Sequence, residues 1–319
     1  MHATTPARRA AADLSLLTVA FIWGLTFVMV QDAVREVPVF AFLSARFLLA
    51  FLAMIPLALA LRRRTLGWGG NTPLWQQLAA GAVIGVILFA GYGFQTAGLQ
   101  YTTPAKAGFI TGLSVVIVPV LGVIFVHERP GWAVVLGVGL ATAGLAFLSL
   151  VGVNLETGIN PGDVLVFFCA LSFAAHIFVT GRVAWRMNPL ILTLTQILVV
   201  ALLASLASHL FEPPTPLFPR GQPLFAAAFT GILATAVAFG VQTVAQRFTT
   251  ATHTALIFAT EPVFAALASF ALIGERLGPS QLLGGALILA GMLTAELGPS
   301  SSPSNAQAHA NDHTSERLP

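Results

Sequence analysis

Four ionisable side chains stand inside long apolar stretches: Arg46, Lys106, His176 and Glu261. Charge is costly in hydrocarbon, so such residues are by default candidates for handling a ligand, an ion or a proton. Glu261 lies about eleven residues into its stretch, roughly 16 Å deep at 1.5 Å per residue. A carboxylate near the middle of a bilayer suits a substrate amine, a proton or a paired cation. Pro262 follows it, lacks a backbone donor and so frees a carbonyl for ligand contact. The structural alternative is a glutamate hydrogen-bonded between two helices. Arg46 is roughly 12 Å deep by the same rise, close enough in depth for an ion pair with Glu261. Snorkelling of its guanidinium to the headgroups, together with helix packing, is the reading favoured for it.

Lys106 lies early in its stretch, and His253 stands 147 residues later (253 − 106) in an equivalent position near the other end of the molecule. The two suit gates or carboxylate-binding groups; snorkelling side chains are the equal alternative. His176 shares a helix face with Phe173 and Thr180, where a packing role is favoured over proton coupling or substrate contact. Gln95 and Gln242 are equivalent uncharged polar positions, with Tyr92 one turn before Gln95. They either line a pocket or bond across helices. Trp23, roughly 13 Å deep, is too far in for an interfacial belt and reads as a cavity wall or a core aromatic.

These residues need an apolar scaffold, and the composition supplies one. The chain has 319 residues, 56% hydrophobic and 8% charged, whereas soluble domains carry about 25% charged residues. So few charges do not cover a water-facing surface, so lipid is the expected solvent. The net charge of +3 forms no dense basic stripe, which argues against nucleic-acid binding. The single cysteine, Cys169, excludes an intrachain disulfide and a multi-cysteine zinc site. The apolar run from Leu14 to Val30 is longer than a signal-peptide core and has no clear cleavage site. It is expected to stay attached as a first span.

A bilayer-crossing helix needs about 20 mostly apolar residues. Ten candidates follow: Leu14–Val34, Pro38–Leu61, Gln77–Leu99, Thr102–Val126, Trp132–Val151, Asp163–Arg182, Pro189–Leu210, Leu224–Gln246, Thr250–Ile273 and Pro279–Leu297. The polar tail, residues 298–319, is too poor in apolar residues to offset its ordering entropy and is expected to be disordered. With the N-terminus inside, Arg8, Arg9, Arg62, Arg63, Arg64, Arg129, Arg182, Arg186, Arg247 and Arg317 fall on the inner side. Only Arg35, Arg220 and Arg276 fall outside, so the positive-inside rule puts both termini in the cytoplasm.

The segment from Gly93 to Thr103 resembles that from Gly240 to Thr250 at a constant offset of 147 (240 − 93). The register continues through Glu128-Arg129 and Glu275-Arg276, then Gly131 and Gly278, Gly137 and Gly284, Gly144 and Gly291. The expected organisation is a cytoplasmic segment 1–13, a first five-helix repeat 14–151, a second repeat 152–297, and the tail 298–319. Five helices per repeat is an odd number, so the second repeat enters the membrane inverted. Arg129 inside and Arg276 outside express that inversion. The fold class is an all-α integral membrane protein of ten helices in two inverted repeats, an architecture common among secondary transporters, with the site near the midplane.

The chain resembles the drug/metabolite transporter superfamily in its EamA-type branch. The resemblance rests on Trp23-Gly24, Pro38 followed by Arg46, Glu128-Arg129-Pro130, Glu261-Pro262 and Gly274-Glu275-Arg276, and spans roughly Leu14 to Leu297. It implies a ten-helix inner-membrane carrier that works by alternating access and moves amino acids, other small metabolites or toxic compounds, often outward. One departure stands out: the first half has Ser114-Val115 where the second has Glu261-Pro262, with its own Pro119 one turn later.

An enzyme is not expected. The sequence lacks H-E-x-x-H, G-x-S-x-G and P-loop motifs, and neither a cofactor nor a metal is implied. A passive channel is the alternative from a different class, separated from a carrier by saturation and counterflow. The partners implied are a small-molecule substrate, the lipid bilayer and a coupling proton; no oligomeric state and no soluble partner is indicated. Gly81-x-x-x-Gly85 and Gly108-x-x-x-Gly112 read as packing sites rather than a dimer signal.

Overall fold

A computed structural model describes residues 6–65, 72–127, 130–150, 160–274, 276 and 278–297. Among these, all regular structure is helical. The elements are α1 (Pro6–Glu36), α2 (Val39–Thr65), α3 (Leu74–Gly98), α4 (Pro104–Thr111), α5 (Ser114–Val126), α6 (Trp132–Leu150) and α7 (Pro161–Val183). They continue with α8 (Pro189–Phe211), α9 (Gln222–Gly231), a π-helical turn (Ile232–Val237), α10 (Ala238–Ala245), α11 (Ala251–Phe258), α12 (Glu261–Ile273) and α13 (Pro279–Leu297).

Among the described residues eight runs are long and apolar enough to cross a membrane, three of them made of paired segments: α4 with α5, α9 with α10, and α11 with α12. The helices α6 and α13 have 19 residues each but shorter apolar stretches. Large side chains such as Leu14, Trp75, Phe125, Trp132, Leu202 and Leu210 point outward along the bundle. An apolar belt of that extent needs lipid as its solvent. The chain is a multi-pass membrane protein. The helix α1 begins at Pro6, so its first two turns occupy residues expected to precede the first span. Glu128, Arg129, Glu275 and the tail, residues 298–319, lie outside the described residues.

The offset of 147 found in the sequence also relates the element boundaries. Shifting α4, α5 and α6 by 147 gives the limits of α11, α12 and α13 (104 + 147 = 251; 114 + 147 = 261; 132 + 147 = 279). Thr103 and Thr250 cap α4 and α11 in the same way, each accepting from the backbone N–H three residues on, Lys106 and His253. The left-handed caps His127 and Gly274 also match.

Two runs read from sequence as single helices are broken, at Gly112–Leu113 and at Ala259–Thr260. Both breaks use the same short bonds: Leu113 N to Ile110 O and Val116 N to Leu113 O, then Thr260 N to Ile257 O and Val263 N to Thr260 O. Pro262 explains the second, because it has no N–H for Phe258 and its ring crowds that carbonyl. The first lacks a proline there, and Gly112, a poor helix former, stands at the bend. The departure at Ser114-Val115 therefore does not move the break.

The two halves interlock. The helix α1 packs on α11 and α12, while α7 packs on α4 and α5; α2 lies against α8. At the periphery α6 and α13 meet through glycines. A Cβ added at Gly144 would sit 2.6 Å from the Gly284 carbonyl oxygen, and one at Gly291 would sit 2.5 Å from that of Gly137. Each contact is the other shifted by 147 with its partners exchanged. Gly81 and Gly85 bring α3 onto α8, and Gly108 brings α4 onto α12.

Candidate functional site

The interlocked halves enclose one central cavity at the level of the two helix breaks. Seven of the nine residues singled out in the sequence line it: Trp23, Arg46, Tyr92, Gln95, His176, Gln242 and Glu261. Lys106 and His253 lie elsewhere, toward opposite ends.

Glu261 begins α12 at the break that Pro262 enforces, which turns the helix N-terminus and the carboxylate toward the cavity. The residue is 8% exposed. Among the described residues its carboxylate has no hydrogen-bond donor and no ion-pair partner. Gly24 makes room for this arrangement: a Cβ there would sit 2.6 Å from the Phe264 Cβ and 3.0 Å from the Glu261 carbonyl oxygen. The Trp23-Gly24 pair thus supplies a cavity wall and a close approach of α1 to α12.

Arg46 does not snorkel. Its side chain is buried, with Nε donating to Thr235 Oγ1 at 3.0 Å and Nη2 to Tyr92 Oη at 3.2 Å. The guanidinium lies 4.5 Å from the centroid of the Tyr92 ring, a stacked cation–π geometry that suits arginine better than lysine. Nor does Arg46 pair with Glu261. Both face the same cavity, but no carboxylate of a described residue reaches the guanidinium. A guanidinium and a carboxyl group, neither with a counter-ion among the described residues, therefore share one enclosed space. Buried charges ordinarily find partners, so this arrangement leaves a place for a ligand that brings both signs.

The π-helical turn, not legible in the sequence, builds the Arg46 side. Such a turn adds a residue to the helix and often marks a functional site. Here it places Thr235 Oγ1 to accept from Arg46 while donating to Thr230 O at 2.9 Å. It also presents the Ala234 carbonyl to Trp23 Nε1 at 2.7 Å. Gly231, just before it, would put a Cβ 2.5 Å from the Arg46 carbonyl oxygen. The equivalent stretch of α3 is regular.

The remaining lining is aromatic and amide. Trp23 packs between Phe239 and Phe258, with centroids at 5.3 and 4.9 Å. Tyr92 meets Phe47 and Phe173 edge-on. Gln95 donates to Thr111 Oγ1 at 3.3 Å, and Gln242 donates to Gln246 Oε1 at 3.3 Å. Gln242 Oε1 has no hydrogen-bond partner. His176 Nε2 lies 2.8 Å from Gln196 Oε1, which gives it a packing partner, and the residue also lines the cavity. Among the described residues no group of three His, Cys, Asp or Glu side chains is placed to hold a metal.

Lys106 and His253 each meet an aspartate that the sequence reading did not single out. Lys106 Nζ is 2.7 Å from Asp163 Oδ2, and His253 Nε2 is 3.0 Å from Asp13 Oδ1. The signal available was an acidic residue at the start of the first apolar stretch of each half.

The EamA-like transporter family is matched twice, by residues 10–150 and again by 160–295. An uncharacterized transporter of Archaeoglobus fulgidus is 34% identical over 294 residues, covering 91% of this chain and 87% of that protein. The uncharacterized transporter YoaV of Bacillus subtilis is 22% identical over 285 residues, covering 88% and 94%. A solved crystal structure shares the fold with a TM-score of 0.70 at 24% identity, over 90% of this chain and 97% of that one. With both halves matched and a relative this similar over most of its length, the chain belongs to the EamA-like transporter family of the drug/metabolite transporter superfamily.

Proposed function

We propose that the protein is a secondary transporter that exports small zwitterionic metabolites, amino acids above all, across the cell (inner) membrane by alternating access. The observation that carries this is the central cavity with Arg46 and Glu261 both unpaired. A substrate carboxylate meets the guanidinium, a substrate ammonium meets Glu261, and the aromatic walls of Trp23, Phe239 and Phe258 take an apolar side chain. When the site is empty, Glu261 takes up the coupling proton, since an uncompensated carboxylate is costly in an apolar enclosure.

In this reading there are ten spans. The 19 residues of α6 and of α13 extend about 28 Å as helices, near the thickness of the hydrocarbon core. The second set of five helices is inverted relative to the first, and both termini are cytoplasmic, as the arginine distribution suggests. The exchanged glycine contacts between α6 and α13 and the shared offset of 147 support a pseudo-twofold axis in the membrane plane.

Transport is tested in proteoliposomes preloaded with unlabelled solute. A carrier accumulates labelled amino acid transiently and saturably, and the preloaded solute accelerates entry. Linear, non-saturating entry with no acceleration would instead mark a channel.

A further inference from the structure

The two ion pairs away from the cavity have the same connectivity. Lys106 on α4 joins Asp163 on α7, and His253 on α11 joins Asp13 on α1. Each links the first helix of one half to the fourth run of the other. Lys106 and His253 are equivalent at the offset of 147, and the two aspartates stand 150 apart (163 − 13), Asp163 in the first turn of α7 and Asp13 two turns into α1. The same four helices carry cavity-lining residues further in, so each pair lies between the cavity and one end of the molecule.

A buried amide also bonds within one half near each end. Toward the Lys106 end, Gln31 Nε2 donates to the carbonyls of Leu99 and Thr102 at 3.1 and 2.8 Å. Toward the His253 end, Gln246 Nε2 donates to the Ile177 carbonyl at 3.0 Å.

The two ends are not equally held. Asp163 receives Lys106 Nζ and also Thr102 Oγ1, at 2.6 Å. The position equivalent to Thr102 is Thr249 (249 − 102 = 147), whose buried hydroxyl has no hydrogen-bond partner among the described residues. Among the described residues Asp13 meets only the imidazole, at 3.0 Å. An ammonium is charged throughout the physiological range, whereas an imidazole is charged only when protonated. Charge-assisted bonds are the stronger ones.

We propose that Asp163–Lys106–Thr102 and Asp13–His253 are matched latches on opposite ends of the substrate cavity, and that the first holds more tightly, so that the resting carrier opens toward its His253 end. With both termini cytoplasmic, that end faces the cytoplasm, where an exporter loads. The inference rests on the carrier reading above for its meaning. Its physical content, which end opens when which pair is cut, does not depend on the substrate.

The test uses the full chain with Cys169→Ala and a reporter thiol introduced by Ser114→Cys, a cavity position. The rate of labelling by a membrane-impermeant maleimide is read in right-side-out and inside-out vesicles. The parent should label faster from the His253 side. Asp163→Asn and Lys106→Met should each raise labelling from the Lys106 side about fivefold, as expected for losing a modest part of a closure energy. Asp13→Asn and His253→Ala should raise it only from the other side. Exchanging the charges, Lys106→Asp with Asp163→Lys, should bring the rate back toward the parent's. Full labelling after detergent denaturation controls for folding and expression.

Rates unchanged from both sides in all four single variants would overturn the latches, as would a rise from one and the same side for both pairs. Equal labelling of the parent from both sides would overturn the asymmetry. Counterflow in the same variants reads the carrier function separately, so latches that work in a protein that exchanges no solute would refute the function and not the latches.

Discussion

Arg46 and Glu261 face one enclosed space and do not neutralise each other, and the rest of the site follows from that. The guanidinium uses two of its N–H groups on Tyr92 and Thr235, so part of its planar fork remains for a carboxylate. Arg46→Lys keeps the charge but loses the fork and the stacking on Tyr92. It is expected to raise the half-saturating concentration in counterflow about tenfold or more, since a lost charge-assisted bond is worth about 1.5–3 kcal/mol. Thr235 acts through Arg46 as a positioning residue. In Thr235→Val the Arg46 Nε–H loses its acceptor, a cost of about 1–3 kcal/mol for a buried donor. Affinity should fall with the maximal rate little changed, and Thr235→Ser should restore it, a rescue that a packing role for the methyl group would not give. Most of these residues were legible in the sequence as candidates, because an ionisable residue within an apolar run is costly and stands out, although a structural role competed with a functional one for each. Thr235 was not, because threonines are common in membrane helices and only the π-helical turn gives this one its role. For Arg46 the favoured snorkelling is not found, nor is the ion pair with Glu261 that its depth allowed; the guanidinium instead bonds across helices to Thr235 and Tyr92, since depth alone does not report which way a side chain points.

Helix breaks and glycine contacts are the devices that hold these residues in place. The sequence showed where apolar runs begin and end but not that α4–α5 and α11–α12 are each interrupted, since hydropathy does not sense backbone hydrogen bonding. Proline positions suggested different bends in the two halves, yet both break at equivalent residues, Gly112–Leu113 and Ala259–Thr260, although only the second break is followed by a proline three residues on. The repeat itself was legible down to single residues: the glycines at 137, 144, 284 and 291 that fixed its register are the ones through which α6 and α13 touch. Gly144→Val should force these helices apart. The cost is about 1–3 kcal/mol of overpacking or more, read as a lower melting temperature of the purified protein. Gly24→Val is expected to be worse for function than for stability, because its Cβ would collide beside the Glu261 backbone. Its signature is lost counterflow in a protein that still purifies as a single species.

At the scale of the whole molecule, duplication supplies the scaffold and unequal substitution supplies the chemistry. Gln95 and Gln242 are equivalent and both line the cavity, but Glu261 has Ser114 as its counterpart (261 − 147 = 114), and Tyr92 has Phe239 (92 + 147 = 239). The site is therefore polar in one sense, with the acidic group on one half and the basic group on a helix of the other. The latches show the same inequality at the two ends. Reporter tags at the N- and C-termini should both be reached only from the cytoplasmic face, and a tag reached from outside would refute the ten-span topology. The most direct measurement is counterflow of a panel of labelled amino acids by the wild type and by Glu261→Gln, with a folding control. The account predicts saturable exchange by the wild type of at least one amino acid with an apolar or aromatic side chain. It also predicts loss of at least about tenfold in that exchange in the variant, since the substrate ammonium would lose a charge-assisted partner worth about 1.5–3 kcal/mol. Exchange of the same compound at the same half-saturating concentration and rate in Glu261→Gln would contradict it.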